Sequence, residues 1–351
     1  MTPWCVEVSN STVMDNLGQN SLSHKIANMS LICSILIVCY HVDWGRGWMN
    51  SFVGMRGLAG TCVPFFFIVS GYFLAKHFDE EGWWRREIGK RVRTLLVPWL
   101  LWTIIALALL IPCGLIAVKL TGKPLLKPMR LSDPFWWGKM FGLDIRYGGG
   151  AIGALWYLRC LFLMVVLSPI FDWFVRKGRV LWIATLYLLC LLFFCFGGRF
   201  RIWIIFQFWL SVTGIFYFSL GIYLRRVKRR DVSGMLALGC GVVGFGLLVS
   251  RDCINYSFPF HFLATPFLIC FMWGLISARQ WPRWLVSCAF PIFLTHQLLF
   301  SLLALFAVDQ HFPSAIYPWI LWCLGVMIPI AFSVWGKRAF PDVAKILLGG
   351  R

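Results

Sequence analysis

The chain is 351 residues long, 60% hydrophobic and only 13% charged, with a mean hydropathy of +0.76. No water-soluble or disordered chain of this length has that composition, which defines an all-α polytopic membrane protein. The net charge of +19 sits mainly in short loops between apolar runs, which points to topology signals and anionic headgroups or phosphates rather than to nucleic acid.

Ten spans follow in chain order, each near the length needed to cross a bilayer: 27–44, 57–75, 93–117, 152–172, 179–197, 203–224, 232–250, 257–277, 284–307 and 315–336. Residues 1–26 and 337–351 flank this single transmembrane domain over 27–336. The first 25 residues are polar and carry no cleavable signal pattern, so the first apolar run stays as a span. Lys and Arg are about twice as abundant on the side of the N-terminus as on the other, so both termini are expected in the cytoplasm. Trp44, Trp48, Trp83 and Trp84 fall at span ends, as an interfacial aromatic belt would place them. Pro259 and Pro266 are candidates to kink the eighth span. Most of the thirteen cysteines lie inside apolar runs and read as small hydrophobes. No C-x-x-C pair occurs, so neither a disulfide framework nor a metal site is expected.

The residues that can carry chemistry are few. His41 ends the first long apolar run (Met29–Val42), where an ionisable group is costly and imidazole is suited to proton transfer near neutral pH. It is the expected general base or nucleophile. Pro64–Tyr72 carries Ser70-Gly71, small residues that let helices approach closely. Lys90, Arg91 and Arg93 enter the third span as a cluster suited to phosphate, as coenzyme A would require. Arg159 lies within an apolar run, three residues past Trp156, and needs a partner or a water-filled cavity. His296 sits in the ninth span. Ser70, Trp156 and His296 are candidates to line a cavity shared with His41. Carboxylates stay in loops or at span ends, Asp172 being the nearest to an interior one. A cavity of His and Arg without Asp or Glu suits hydroxyl deprotonation and oxyanion stabilisation better than proton-coupled transport.

In this order, the stretches Val38–His41, Val63–Tyr72, Lys90–Trp99, Leu155–Arg159 and Phe290–His296, with a weaker match at Phe216–Leu224, resemble the membrane acyltransferase 3 family across nearly the whole chain. The resemblance implies ten helices and transfer of an acyl group, often acetyl, from cytosolic acyl-CoA to a hydroxyl of a surface glycan or similar acceptor. It puts the essential histidine at His41 and donor contacts at Lys90, Arg91 and Arg93. Arg159 is then expected to stabilise the oxyanion or orient the acceptor. Expected partners are acyl-CoA as co-substrate, the hydroxyl acceptor and membrane lipids. No permanently bound cofactor is expected, and the bacterial plasma membrane is the expected location. The chain departs from the family at Ser30, where a cation often stands eleven residues before the histidine; Lys25 is the nearest. It also has Arg91-x-Arg93 where Arg-x-x-Arg is common. The competing readings are a permease or exporter of a glycan or lipid precursor, and a non-catalytic membrane partner.

Overall fold

The computed structural model describes residues 4–43, 55–122, 132–143, 150–196, 211–227, 232–253, 260–306, 313 and 315–350. Trp44, Trp48, Pro259 and the first part of the 203–224 span lie outside the described residues. Among the described residues every regular element is helical, and a helix lies over each expected span. The protein is an all-α membrane protein.

Helix α1 (Trp4–His41) is longer than the expected first span, because the polar N-terminal residues continue the same helix. Its stretch apolar enough to cross a membrane is Ser21–His41. Helices α2 (Met55–Ala59) and α3 (Cys62–Leu74) return across the bilayer. Helix α4 (Trp83–Arg91) runs through a π-helical turn, Val92–Leu96, into α5 (Val97–Thr121). Pro98 explains the turn: it has no N–H for the carbonyl of Thr94, four residues earlier, and its ring crowds that carbonyl. The chain widens instead, and the N–H of Val97 reaches back to Val92. A short helix α6 (Pro134–Met140) starts at Asp133, whose side chain accepts from the N–H of Phe135.

Helix α7 (Trp156–Phe196) covers two expected spans in one assigned element, but Arg179 breaks it with φ 45° and ψ −121°. The rings of Phe174 and Trp182 stack at 4.2 Å. Eight residues of straight helix would separate them by about 12 Å, so the chain folds back at Arg179 and makes two antiparallel spans. Helices α8 (Val212–Arg226), α9 (Gly234–Cys253), α10 (Phe260–Leu275), α11 (Arg283–Val286), α12 (Ala289–Leu305), α13 (Tyr317–Ala339) and α14 (Pro341–Leu347) complete the bundle. Large apolar side chains such as Leu120, Met235 and Val242 face outward, as they do where lipid replaces water.

Among the described residues, α3 and α8 cross with their backbones in close contact. A Cβ built on Gly71 would overlap the carbonyl oxygen of Phe218, and one on Gly221 would overlap that of Ile68. Two helices approach this closely only through small residues, so the stretches 63–72 and 216–224 interlock backbone to backbone. Because a carbonyl in a helix cannot swing aside, Gly221→Leu is expected to cost at least about 3 kcal/mol. A fluorescence thermal-shift measurement in detergent should show the melting temperature fall or the folded fraction vanish.

Candidate active site

Helix α1 ends at His41, and α12 brings His296 and Gln297 against it. The two imidazole rings lie 5.3 Å apart between centroids. The Nδ1 of His296 sits 2.8 Å from the carbonyl oxygen of Ile292. A carbonyl only accepts, so this nitrogen carries the hydrogen and Nε2 is the lone-pair atom. That Nε2 is buried and has no hydrogen-bond partner among the described residues.

Gln297 fixes the orientation of His41. Its Oε1 accepts from the backbone N–H of Ala154 at 2.6 Å. Its amide nitrogen therefore points the other way, and it lies 2.8 Å from Nε2 of His41. An amide N–H donates, so Nε2 of His41 accepts and Nδ1 carries the ring proton; the assignment follows from the bonding network. A Cβ at position 153 would stand 2.6 Å from Oε1 of Gln297, so Gly153 leaves the room this arrangement needs.

Below the histidines lies a layer of three rings, Phe66, Tyr157 and Phe293. Tyr157 and Phe293 are 5.5 Å apart, and Phe66 is 6.2 Å from each. Phe293 is one turn from His296, with centroids at 6.5 Å. These three rings form one end of a cavity of about 580 Å³, which also takes in Ser30, Ser34, Ser70 and, toward the basic loops, Arg91. The hydroxyls of Ser30 and Ser34 donate to the carbonyls of Ile26 and Ser30, at 2.8 and 3.0 Å, which leaves their lone pairs as acceptors. The Ser70 hydroxyl lies 3.4 Å from that of Tyr157. Ser34 precedes His41 by seven residues, about 10 Å of helix, so cavity, ring layer and histidine pair follow one another along α1.

The remaining expected residues separate. Of the three cations entering the third span, Arg91 alone lines this cavity. Glu87, itself buried, holds Arg91 at 3.2 Å and Lys90 at 3.4 Å, while Arg93 is exposed. Arg159 is buried, and its guanidinium donates to the backbone carbonyl of Gly142; the bond ties the segment after α6 to α7. Trp156 packs edge-on to Tyr157 at 6.4 Å, one layer behind the cavity wall. Lys25 does not stand in at Ser30: its Nζ lies 4.8 Å from the ring of Trp273. Asp172 joins Arg176 and Arg226 at 2.7 and 2.5 Å in an ion-pair cluster. Gln297 and Glu87 escaped the reading of the sequence. A glutamine inside an apolar run is itself a signal of a polar partner, but attention to titratable groups passes over it.

The acyltransferase domain model of the membrane acyltransferase 3 family matches residues 28–338, and the chain belongs to that family. It is a membrane acyltransferase by family. Comparison with curated proteins and with solved structures gave no match.

Proposed function

We propose that this protein is an O-acyltransferase of the bacterial plasma membrane, taking an acyl group, acetyl first among candidates, from cytosolic acyl-CoA to a hydroxyl of a surface glycan or similar acceptor. The observation that carries this reading is the lone pair of His41 Nε2, aimed by Gln297 and separated by one layer of rings from a cavity that carries an arginine toward the basic loops. With both termini cytoplasmic, that cavity opens toward the donor.

The donor's phosphates meet Arg91, and its thioester end runs past Ser70 and between the rings of Phe66, Tyr157 and Phe293, which part to let it reach His41. The acceptor hydroxyl takes the place of the Gln297 N–H at Nε2. His41 removes the hydroxyl proton as the oxygen attacks the thioester carbon. The carbon–sulfur bond then breaks, and the proton passes from His41 to the departing coenzyme A thiolate. Transfer of the acyl group to His41 itself is the competing route, and a trapped acyl-enzyme separates the two. Arg159 acts by fixing the Gly142 segment beside the site.

The test is turnover of labelled acetyl-CoA by the purified protein in nanodiscs, with a panel of bacterial glycans as acceptors and His41→Ala as control. Turnover by the wild type that the folded variant lacks supports the reading. No donor binding across acetyl and longer acyl-CoAs overturns it and favours a carrier or a non-catalytic partner. Arg91→Gln is expected to raise the donor KM about tenfold while changing kcat little, since it removes one charge-assisted contact shared by ground and transition states. Arg93→Gln should leave the donor KM within about twofold. Initial-rate kinetics against acyl-CoA concentration read both.

A further inference from the structure

A second cavity, of about 380 Å³, lies beside the first and shares Ile26 and Val69 with it. Its walls are almost wholly apolar and come from α1, α3, α8, α9 and α10, with Tyr72, Leu220, Cys270 and Trp273 prominent among them. Leu236, another wall residue, is 58% exposed, so the cavity has an open flank where the protein meets lipid. From Leu224 to Tyr217 along α8 it is about 10 Å deep. That lies within one leaflet of a hydrocarbon core about 30 Å thick.

Two cations stand on its wall aromatics. Lys25 sits over Trp273 at 4.8 Å. Arg225 sits over Tyr72 at 5.2 Å and donates to its hydroxyl at 3.3 Å. The contrast with the next residue is informative. Arg226 is neutralised by Asp172 at 2.5 Å, whereas neither Lys25 nor Arg225 enters an ion pair among the described residues. An apolar slot within one leaflet with uncompensated positive charge on its rim complements an amphiphile with a single hydrocarbon chain inside and a phosphate at the interface.

We propose that this cavity is a binding site for an anionic phospholipid of the leaflet next to the basic loops, with one acyl chain between α1, α3, α8 and α10 and its phosphate between Lys25 and Arg225. The site is separate from the histidine pair and does not depend on the acyl-transfer reading. Bound lipid would brace α1 against α10, and Ile26 and Val69 would carry its presence to the neighbouring cavity wall.

Native mass spectrometry of the full-length protein tests this, with phosphatidylglycerol, phosphatidylcholine of the same chains and palmitoyl-CoA as separate probes. The wild type should retain one phosphatidylglycerol and bind it at least tenfold more tightly than phosphatidylcholine. Lys25→Gln with Arg225→Gln should abolish that preference while leaving chain binding. Cys270→Phe, which fills the slot, should lose both lipids. The two polar exchanges lie at the interface and keep the test sound should the filled cavity unfold the protein; thermal shift monitors each. Equal binding of the two lipids by the wild type, no retained lipid, or a preference unchanged in the Gln variants would overturn the proposal. So would palmitoyl-CoA binding that Cys270→Phe removes while phosphatidylglycerol binding persists, since the slot would then serve the donor's chain.

Discussion

His41→Ala is expected to lower acyl transfer by about 10³-fold, within the 10²–10⁴ range for loss of a general base, in a protein that still folds. His41 is exposed at the end of α1, so truncation opens no cavity in the core and removes its contacts with His296 and Gln297. The remaining contacts also predict what the variant keeps. Donor binding should persist, because Arg91, Ser30 and Ser70 sit at the cavity and not at the imidazole. Single-turnover kinetics with labelled acyl-CoA should show an unchanged affinity and a collapsed chemical step. If His41 carried the acyl group covalently, imidazole supplied in solution would restore hydrolysis of the donor before transfer to the acceptor. If it acts as base alone, added imidazole should restore transfer itself. A variant with wild-type turnover would place the chemistry on another residue.

The spans were legible because a run of apolar residues long enough to cross a bilayer needs no partner to be recognised. The reversal at Arg179 was legible for the same reason, since the basic residues 176–179 interrupt the run. Helix phase explains the assignments that separated. Arg91 and Arg93 are two residues apart where α4 passes into the π-helical turn, which puts them on roughly opposite sides of the helix, so Arg91 lines the cavity and Arg93 is exposed. Lys25 and Ser30 differ by about 140° around α1, which carries Lys25 to Trp273 instead of the cavity. What the sequence could not hold is long-range register. The bond from Gln297 to His41 joins residues 256 apart, and the close approach of Gly71 to Phe218 depends on how two helices cross. Arg159 illustrates a different limit: its burial was foreseeable, but the backbone carbonyl that accepts from it belongs to a loop.

Gln297→Leu is expected to lower kcat about 10- to 100-fold with the donor KM unchanged, as loss of an orienting partner does when the reacting group itself remains. The leucine keeps the volume but offers no acceptor to Ala154 and no donor to His41. The ring then loses the contact that keeps Nε2 unprotonated and in position until the acceptor hydroxyl replaces the amide there. Gln297→Glu separates orientation from simple packing. A carboxylate oxygen still accepts from Ala154 N–H, but the second oxygen facing Nε2 can only accept, so it favours the doubly protonated ring. A protonated ring cannot take the acceptor's proton. The rate should therefore be depressed near neutral pH and recover as pH rises, moving the acid limb of the pH–rate profile upward. A purely structural glutamine would lower thermal stability in both variants and leave that limb where it is in the wild type. His296 completes the surroundings of the base: its Nδ1 hydrogen is committed to Ile292, and its ring stands 5.3 Å from that of His41. The direction of the pH shift in Gln297→Glu therefore distinguishes a glutamine that sets the protonation of His41 from one that only packs against it.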